Sequence, residues 1–326
     1  MRAPEFWYQA PGLRAHLLSP LGRLYFAATR RRLASGTPAK LPRPVICVGN
    51  LNAGGTGKTP TIIALVEHFN AQGIKPMVVT KGYKGKASAP VKVDPTAHTA
   101  EFVGDEPLLL ASFCSTWVSK ERLPGAQAAI EAGADVILLD DGFQDPSLYH
   151  DLSVLTVDAE RGFGNRMGLP AGPLREPVDR GLDRADALVS IGSDIAQTAF
   201  LNEQPLPKDL PHFRAELRPL QTGMQWQGVR AMAFAGIGHP EKFFATLRDL
   251  GMSLAGTQAL DDHQDLPVSL LTRLEAEAQR LNAQLVTTEK DAARLPVAFR
   301  TKVLTVPVRL KFADHNRLTA LLDTLL

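Results

Sequence analysis

The chain has 326 residues, room for about two domains, and its 44% hydrophobic and 21% charged residues give the apolar content of a packed protein, excluding a disordered chain or a small stapled scaffold. Its two cysteines, Cys47 and Cys114, form no CxxC pair or Cys/His cluster, which excludes a disulfide framework or structural zinc site and fits a reducing compartment. The formal net charge is only +2, but residues 1–40 carry seven basic side chains against Glu5, a local +6 that leaves −4 for the remainder.

No stretch reaches the roughly 18 apolar residues of a spanning helix, and the first 30 residues lack the apolar core and cleavage site of a signal peptide. The chain is therefore expected neither to span a membrane nor to be exported. On a helical wheel Leu13, Leu17, Leu21, Leu24 and Ala28 share one face, opposite His16, Ser19, Arg23 and Arg30. Ser19 and Pro20 suit an N-cap and first-turn proline, so a short helix, a break and a second helix running to Arg30-Arg31-Arg32 are expected. Trp7, Tyr8, Tyr25 and Phe26 add aromatic bodies with partly polar edges. Such a basic amphipathic segment can lie among lipid headgroups, or it can simply pack on its own domain.

From residue 44 the pattern changes. Short β-branched apolar runs at 45–48, 77–79, 136–139, 154–157 and 187–190 read as strands buried on both faces, with helical patterns at 61–70, 107–113 and 127–132 between them. That alternation predicts an α/β fold with a mainly parallel sheet wrapped by helices. The stretch 202–219 is rich in proline and charge, and beyond it strands at 231–235, 285–287 and 303–306 alternate with helices at 241–250 and 270–281. Three units are expected: an N-terminal amphipathic segment (1–40), a P-loop core (41–210) and a smaller C-terminal α/β domain (211–326).

The strongest chemical signal is the run Asn52, Ala53, Gly54, Gly55, Thr56, Gly57, Lys58, Thr59 between a predicted strand and a predicted helix. There, backbone N–H groups curl around nucleotide phosphates, Lys58 reaches the β and γ oxygens, and Thr59 ligates Mg²⁺. The strict pattern has glycine in place of Asn52, and asparagine tolerates positive φ better than most residues. The strand at 136–139 ends in Asp140 and Asp141, where a P-loop protein needs an acid for Mg²⁺ or its water; alone, it is equally a strand leaving the core for solvent. Asp105 and Glu106 read as a helix start, and His263, after Asp261 and Asp262, as a surface residue, on composition alone.

Five motifs occur in order: Gly49-Asn50-Leu51 with Gly54-Gly55-Thr56-Gly57-Lys58-Thr59-Pro60; Asp140-Asp141-Gly142-Phe143-Gln144; Leu169-Pro170-Ala171-Gly172-Pro173-Leu174-Arg175-Glu176-Pro177; Phe234-Ala235-Gly236-Ile237-Gly238; and Thr287-Thr288-Glu289-Lys290-Asp291-Ala292. Together they resemble the tetraacyldisaccharide 4′-kinases, and Phe6-Trp7-Tyr8 and the 17–25 region resemble that family's membrane-associating start. The resemblance implies a P-loop NTPase-like kinase that moves the γ-phosphate of ATP to the 4′-hydroxyl of an acylated glucosamine disaccharide 1-phosphate. The product is lipid IVA, and the place is the cytoplasmic face of the inner membrane.

The same resemblance implies a catalytic Asp105–His263 dyad, with Arg175 on the transferring phosphoryl group or the acceptor and Glu176 near the metal beside Thr59, Asp140 and Asp141. ATP and Mg²⁺ are the expected cofactors, and the membrane surface and the acylated disaccharide the expected partners. No nucleic-acid partner is expected, and no protein partner is inferable. Three positions depart from the family's usual residues: Asp145 stands for histidine, His239 for asparagine and Lys81 for arginine. The alternative is a membrane-associated P-loop ATPase acting as a switch or recruiting module; an acceptor loop and an Asp-His pair favour the enzyme.

Overall fold

The computed structural model describes residues 3–262 and 264–325. Thirteen strands are present among them: β1 (Val45–Gly49), β2 (Pro76–Thr80), β3 (Val91–Lys92), β4 (Thr116–Val118), β5 (Val136–Asp140), β6 (Leu152–Asp158), β7 (Ala187–Ile191), β8 (His212–Pro219), β9 (Arg230–Ala235), β10 (Ser253–Ala259), β11 (Gln284–Thr288), β12 (Val303–Val306) and β13 (Val308–Phe312). Nine form one sheet in the order β13-β8-β7-β6-β1-β5-β2-β4-β3, parallel except for its two outer pairs. The expected α/β class is what forms.

Every residue of β1, β2, β5, β6 and β7 is buried, as continuous apolar runs covered on both faces require. Side chains alternate across the sheet. Ile46 and Val48 join the core with Ile62, Leu65, Val66 and Phe69 of the helix Lys58–Ala71, whereas Val45 and Cys47 join Ala126, Ala129, Phe143 and Leu174 on the other side.

β1 lies between β5 and β6, with Val48 in register with Asp140. The phosphate loop and the acids therefore leave the sheet side by side, at the carboxyl ends of adjacent parallel strands, where open α/β sheets place their ligands.

The four remaining strands form a parallel sheet, β10-β9-β11-β12. Phe243, Phe244 and Leu247 of the helix Pro240–Asp249 cover one face, and Leu271, Leu274 and Ala278 of the helix Val268–Arg280 the other.

The sheets divide the chain differently from the expected boundary at 211. β8 pairs in parallel with β7, β13 returns antiparallel to β8, and Leu318 and Leu322 of the last helix, His315–Asp323, join the core around Ile62 and Phe69. The smaller sheet is thus an insertion between two strands of the larger one, not a C-terminal appendage.

The N-terminal helix also differs. It runs unbroken over Leu13–Ser35 with Pro20 inside it. Proline removes one backbone donor, but the helix continues through it and is held to the protein on both sides: Ala15, Gly22 and Thr29, seven residues apart, are the buried positions. Gly22 lies so close to Gly168 that a Cβ would run into the Gly168 carbonyl. The leucines face outward instead, with Leu13 77%, Leu17 71% and Leu24 68% exposed. Among the described residues no helix is long and apolar enough to cross a membrane.

Candidate active site at the phosphate loop

Gly57 caps the helix Lys58–Ala71 with φ +93°, and a Cβ there would strike Ile191 of β7, so only glycine suits the turn from loop to helix. Gly54, at φ +116°, and Gly55 face open space. The loop is braced from beneath: Asn50 Nδ2 donates to Thr56 Oγ1 at 2.8 Å and to the Gly54 carbonyl at 3.3 Å, and Thr56 Oγ1 lies 2.9 Å from Thr156 Oγ1 on β6. The first-turn N–H groups of the helix lack intrahelical acceptors by geometry and point toward this opening.

Asn52 is not in a positive-φ conformation. It is buried, forms a bridge with Leu174 and donates from Nδ2 to the Gly162 carbonyl at 3.0 Å, while Ala53 N donates to Pro173 O at 2.7 Å. These two residues tie the loop to the proline-rich segment that carries Arg175, and the open part of the cradle is 54–59.

At the end of β5 the two aspartates have different surroundings. Asp140 is buried; Thr80 donates to its Oδ2 at 2.9 Å, and its Oδ1 is buried without a hydrogen-bond partner. Burial, with Glu106 next in effect, pushes its carboxyl up to about 6. Asp141 adopts φ +56°, with its carbonyl accepting from Arg122 Nη2 at 2.5 Å. Its Oδ1 lies 2.7 Å from Arg175 Nη1 and 3.7 Å from Lys58 Nζ. Burial works to raise this carboxyl, but Lys58 and Arg175 outweigh it and hold it well below the usual carboxylate range.

The unpartnered Asp140 oxygen, the adjacent Asp141 and the half-buried Thr59 suit a magnesium ion that keeps phosphate oxygens and waters among its ligands. Among the described residues no three His, Cys, Asp or Glu side chains converge into a metal cage, and such an ion needs none.

Glu176, expected near the metal, is engaged elsewhere. Arg184 Nη2 reaches both its oxygens at 2.7 and 2.8 Å, and Gln144 Nε2 donates to Oε1 at 3.0 Å and to Asn50 O at 2.9 Å. Gln144 Oε1 in turn accepts from Arg175 Nη1 at 3.3 Å. Glu176 therefore anchors the amide that steadies Arg175, a role its motif did not announce.

The smaller sheet closes over this site. A Cβ built on Gly238, in the loop after β9, would lie 3.9 Å from Gly55 N. Lys290 Nζ lies 3.2 Å from Glu106 and 3.4 Å from Asp262, and Arg294 Nη1 lies 3.7 Å from Asp105 Oδ2. The two layers are thus in direct contact. His263 lies outside the described residues; its neighbours Asp262 and Gln264 are both held by this cation pair. Arg294 was not singled out from the sequence, Lys290 stood there only inside the Thr287-to-Ala292 motif, and Glu106 only as part of a helix start. The available signal was the Thr287-to-Ala292 motif, with its lysine four residues before a second cation.

A cavity of about 290 Å³ opens between the Asp141–Arg175 pair and the N-terminal helix, lined by Tyr25, Arg32, Lys81, Asp141, Asp145 and Arg175 among others. Trp7 and Tyr8 serve the protein itself: Trp7 Nε1 donates to Pro170 O at 3.0 Å, and the Arg161 guanidinium lies 4.4 Å from the Tyr8 ring centre.

A family model described as tetraacyldisaccharide-1-P 4′-kinase matches residues 14–326. A tetraacyldisaccharide 4′-kinase of Dinoroseobacter shibae is 59% identical, with 100% of this chain and 98% of the relative covered. One from a Jannaschia species is 53% identical over 100% and 99%. A crystal structure of LpxK from Aquifex aeolicus in complex with ATP aligns with a TM-score of 0.73 at 26% identity, covering 96% of this chain and 99% of that one. With the whole length matched and the nucleotide loop in the same fold, the chain belongs to the tetraacyldisaccharide-1-P 4′-kinase family.

Proposed function

We propose that the chain transfers the γ-phosphate of ATP to the 4′-hydroxyl of a tetraacylated glucosamine disaccharide 1-phosphate, giving lipid IVA, with residues 54–59 as the nucleotide cradle. The observation that carries this is the meeting of Lys58 and Arg175 on Asp141, where Asp141 and Arg175 line a cavity that reaches the N-terminal helix. Nucleotide enters from the loop side and the sugar from the cavity side.

Lys58 and the helix N-terminus hold the β and γ oxygens. Thr59, Asp140 and Asp141 would hold Mg²⁺, which supplies charge neutralisation on the phosphates when bound. Arg175, fixed by Asp141 and Gln144, presents its remaining donors to the transferring group. Asp105, at the start of the helix Asp105–Leu110, takes the proton of the 4′-hydroxyl as its bond to phosphorus forms, with His263 as its partner. The exposed leucines of the N-terminal helix rest on the cytoplasmic face of the inner membrane, so the acyl chains stay in lipid while the sugar rises to the site.

The test is transfer of labelled γ-phosphate to the acylated disaccharide 1-phosphate by the parent, Lys58→Ala, Thr59→Ala and Asp105→Asn proteins. Lys58→Ala and Thr59→Ala lose transfer, while Asp105→Asn keeps nucleotide affinity and loses about 10² to 10⁴ in kcat. Phosphate delivered only to water, or near-parental turnover by Lys58→Ala, overturns the reading.

A further inference from the structure

The helix Glu289–Ala293 is too short to be stable alone, yet two cations four positions apart leave its end on one face. Lys290 Nζ meets Glu106 Oε1 at 3.2 Å and Asp262 Oδ1 at 3.4 Å. Arg294 meets Asp105 Oδ2 at 3.7 Å and donates to the Gln264 carbonyl. Each cation thus joins one acid of the 105–106 pair, on the larger sheet's side, to one residue flanking position 263, on the smaller sheet's side.

The arrangement is anchored from behind. Arg294 Nη2 bonds Asp291 Oδ1 at 2.6 Å, and Asp291, completely buried, also accepts from Gly236 N at 2.9 Å and Thr288 Oγ1 at 2.8 Å. Exposed ion pairs wander and hold little in place, but the Arg294 side chain is 5% exposed and its fork is fixed at three points.

We propose that Lys290 and Arg294 are positioning residues for the transfer step, acting as a two-cation clamp that fixes Asp105 and Glu106 against Asp262 and Gln264. The proposal rests on the reading of Asp105 as the base. Removing either cation takes away its pairs with Asp105, Glu106, Asp262 or Asp291, and the two layers lose one of the bridges between them. A misplacement of about 1 Å at a proton-transfer pair costs on the order of 10² in rate.

The experiment compares kcat and the KM for ATP in Lys290→Gln, Arg294→Ala, Arg294→Lys, Asp105→Asn and Asp105→Asn/Arg294→Ala, with thermal melting of each. The expected result is a kcat lowered about 10- to 100-fold in Lys290→Gln and Arg294→Ala with KM for ATP within about threefold. Arg294→Lys recovers part of the loss, and the double variant is no worse than Asp105→Asn alone. Parental kcat in both cation variants, or multiplicative losses in the double variant, overturns the clamp. If Arg294→Ala does not fold, Lys290→Gln with Glu106→Gln gives the same comparison. A fully active Asp105→Asn would bring down the base reading itself, whereas a crippled Asp105→Asn beside active Lys290→Gln and Arg294→Ala defeats only the clamp.

Discussion

Lys81 Nζ lies 2.8 Å from Asp145 Oδ2, so two of the chain's departures from the family's usual residues are partners of each other. The aspartate also meets Arg122 Nε at 3.4 Å and accepts from Ser147 N at 3.1 Å. Burial works to raise the Asp145 carboxyl, but the hydrogen bonds of Lys81 and Ser147 outweigh it and bring it down to about 2. A negative residue here balances Lys81 and a buried Arg122. Asp145→His, although it restores the usual family residue, is therefore expected to lower stability by about 1–3 kcal/mol near neutral pH. Denaturant unfolding at pH 7 measures it, and a neutral or stabilising change would show that the pair balances nothing.

Gly57 is a second sharp position. Gly57→Ala imposes a side chain at positive φ and drives a methyl into Ile191, for an expected loss of about 1–3 kcal/mol and weakened ATP binding. Adding Ile191→Ala relieves the collision but not the backbone strain, so only part of the loss should return. Complete recovery of stability in the double variant would mean that φ is of no consequence there.

What the sequence disclosed and what it hid have physical causes. The five central strands and the loop were readable because strands buried on both faces are continuous apolar runs. β8 was not, because its mixed run His-Phe-Arg-Ala-Glu-Leu-Arg-Pro, only partly buried, follows a proline-rich stretch, and its partner β13 lies beyond the entire inserted sheet. The shared face of the leucines was legible while its outward turn was left open, and the expected break at Pro20 does not form, since the contacts of Ala15, Gly22 and Thr29 that hold the helix come from distant segments. Likewise Asn52 and Glu176 stood in motifs that marked them as ligand-binding. Their partners Gly162, Gln144 and Arg184 are tertiary neighbours that no spacing rule exposes.

His150 offers a test in pH. Burial, then Arg122 and Arg184, push its imidazole down to about 4. Between that value and an unfolded value near 6.5 the unfolded chain binds more protons, so stability rises with pH across this window and is lost as pH falls from 6.5 toward 4. The full effect is on the order of 3 kcal/mol at most. His150→Gln should flatten the dependence of unfolding free energy on pH between 4 and 6.5; an unchanged slope would assign the acid sensitivity to other groups.

The last prediction concerns the outward leucines. Leu13, Leu17 and Leu24 are each more than two thirds exposed, while the helix holds to the protein through Ala15, Gly22 and Thr29, so replacing those leucines should leave the fold intact. Each would bury enough apolar surface in a headgroup layer to contribute about 1 kcal/mol, and Arg30 and Arg31 about the same each against anionic lipid. Leu13→Ser/Leu17→Ser/Leu24→Ser is therefore expected to lower partitioning onto phosphatidylglycerol-containing vesicles by about 10²-fold. It should also raise the KM for the acylated disaccharide more than that for ATP, with the melting temperature held. Arg30→Glu/Arg31→Glu should weaken binding to the same vesicles and lose its effect on neutral ones or at high salt. Vesicle partitioning and lipid KM that stay at parental values in the triple serine variant would mean that the leucine face meets something other than a membrane.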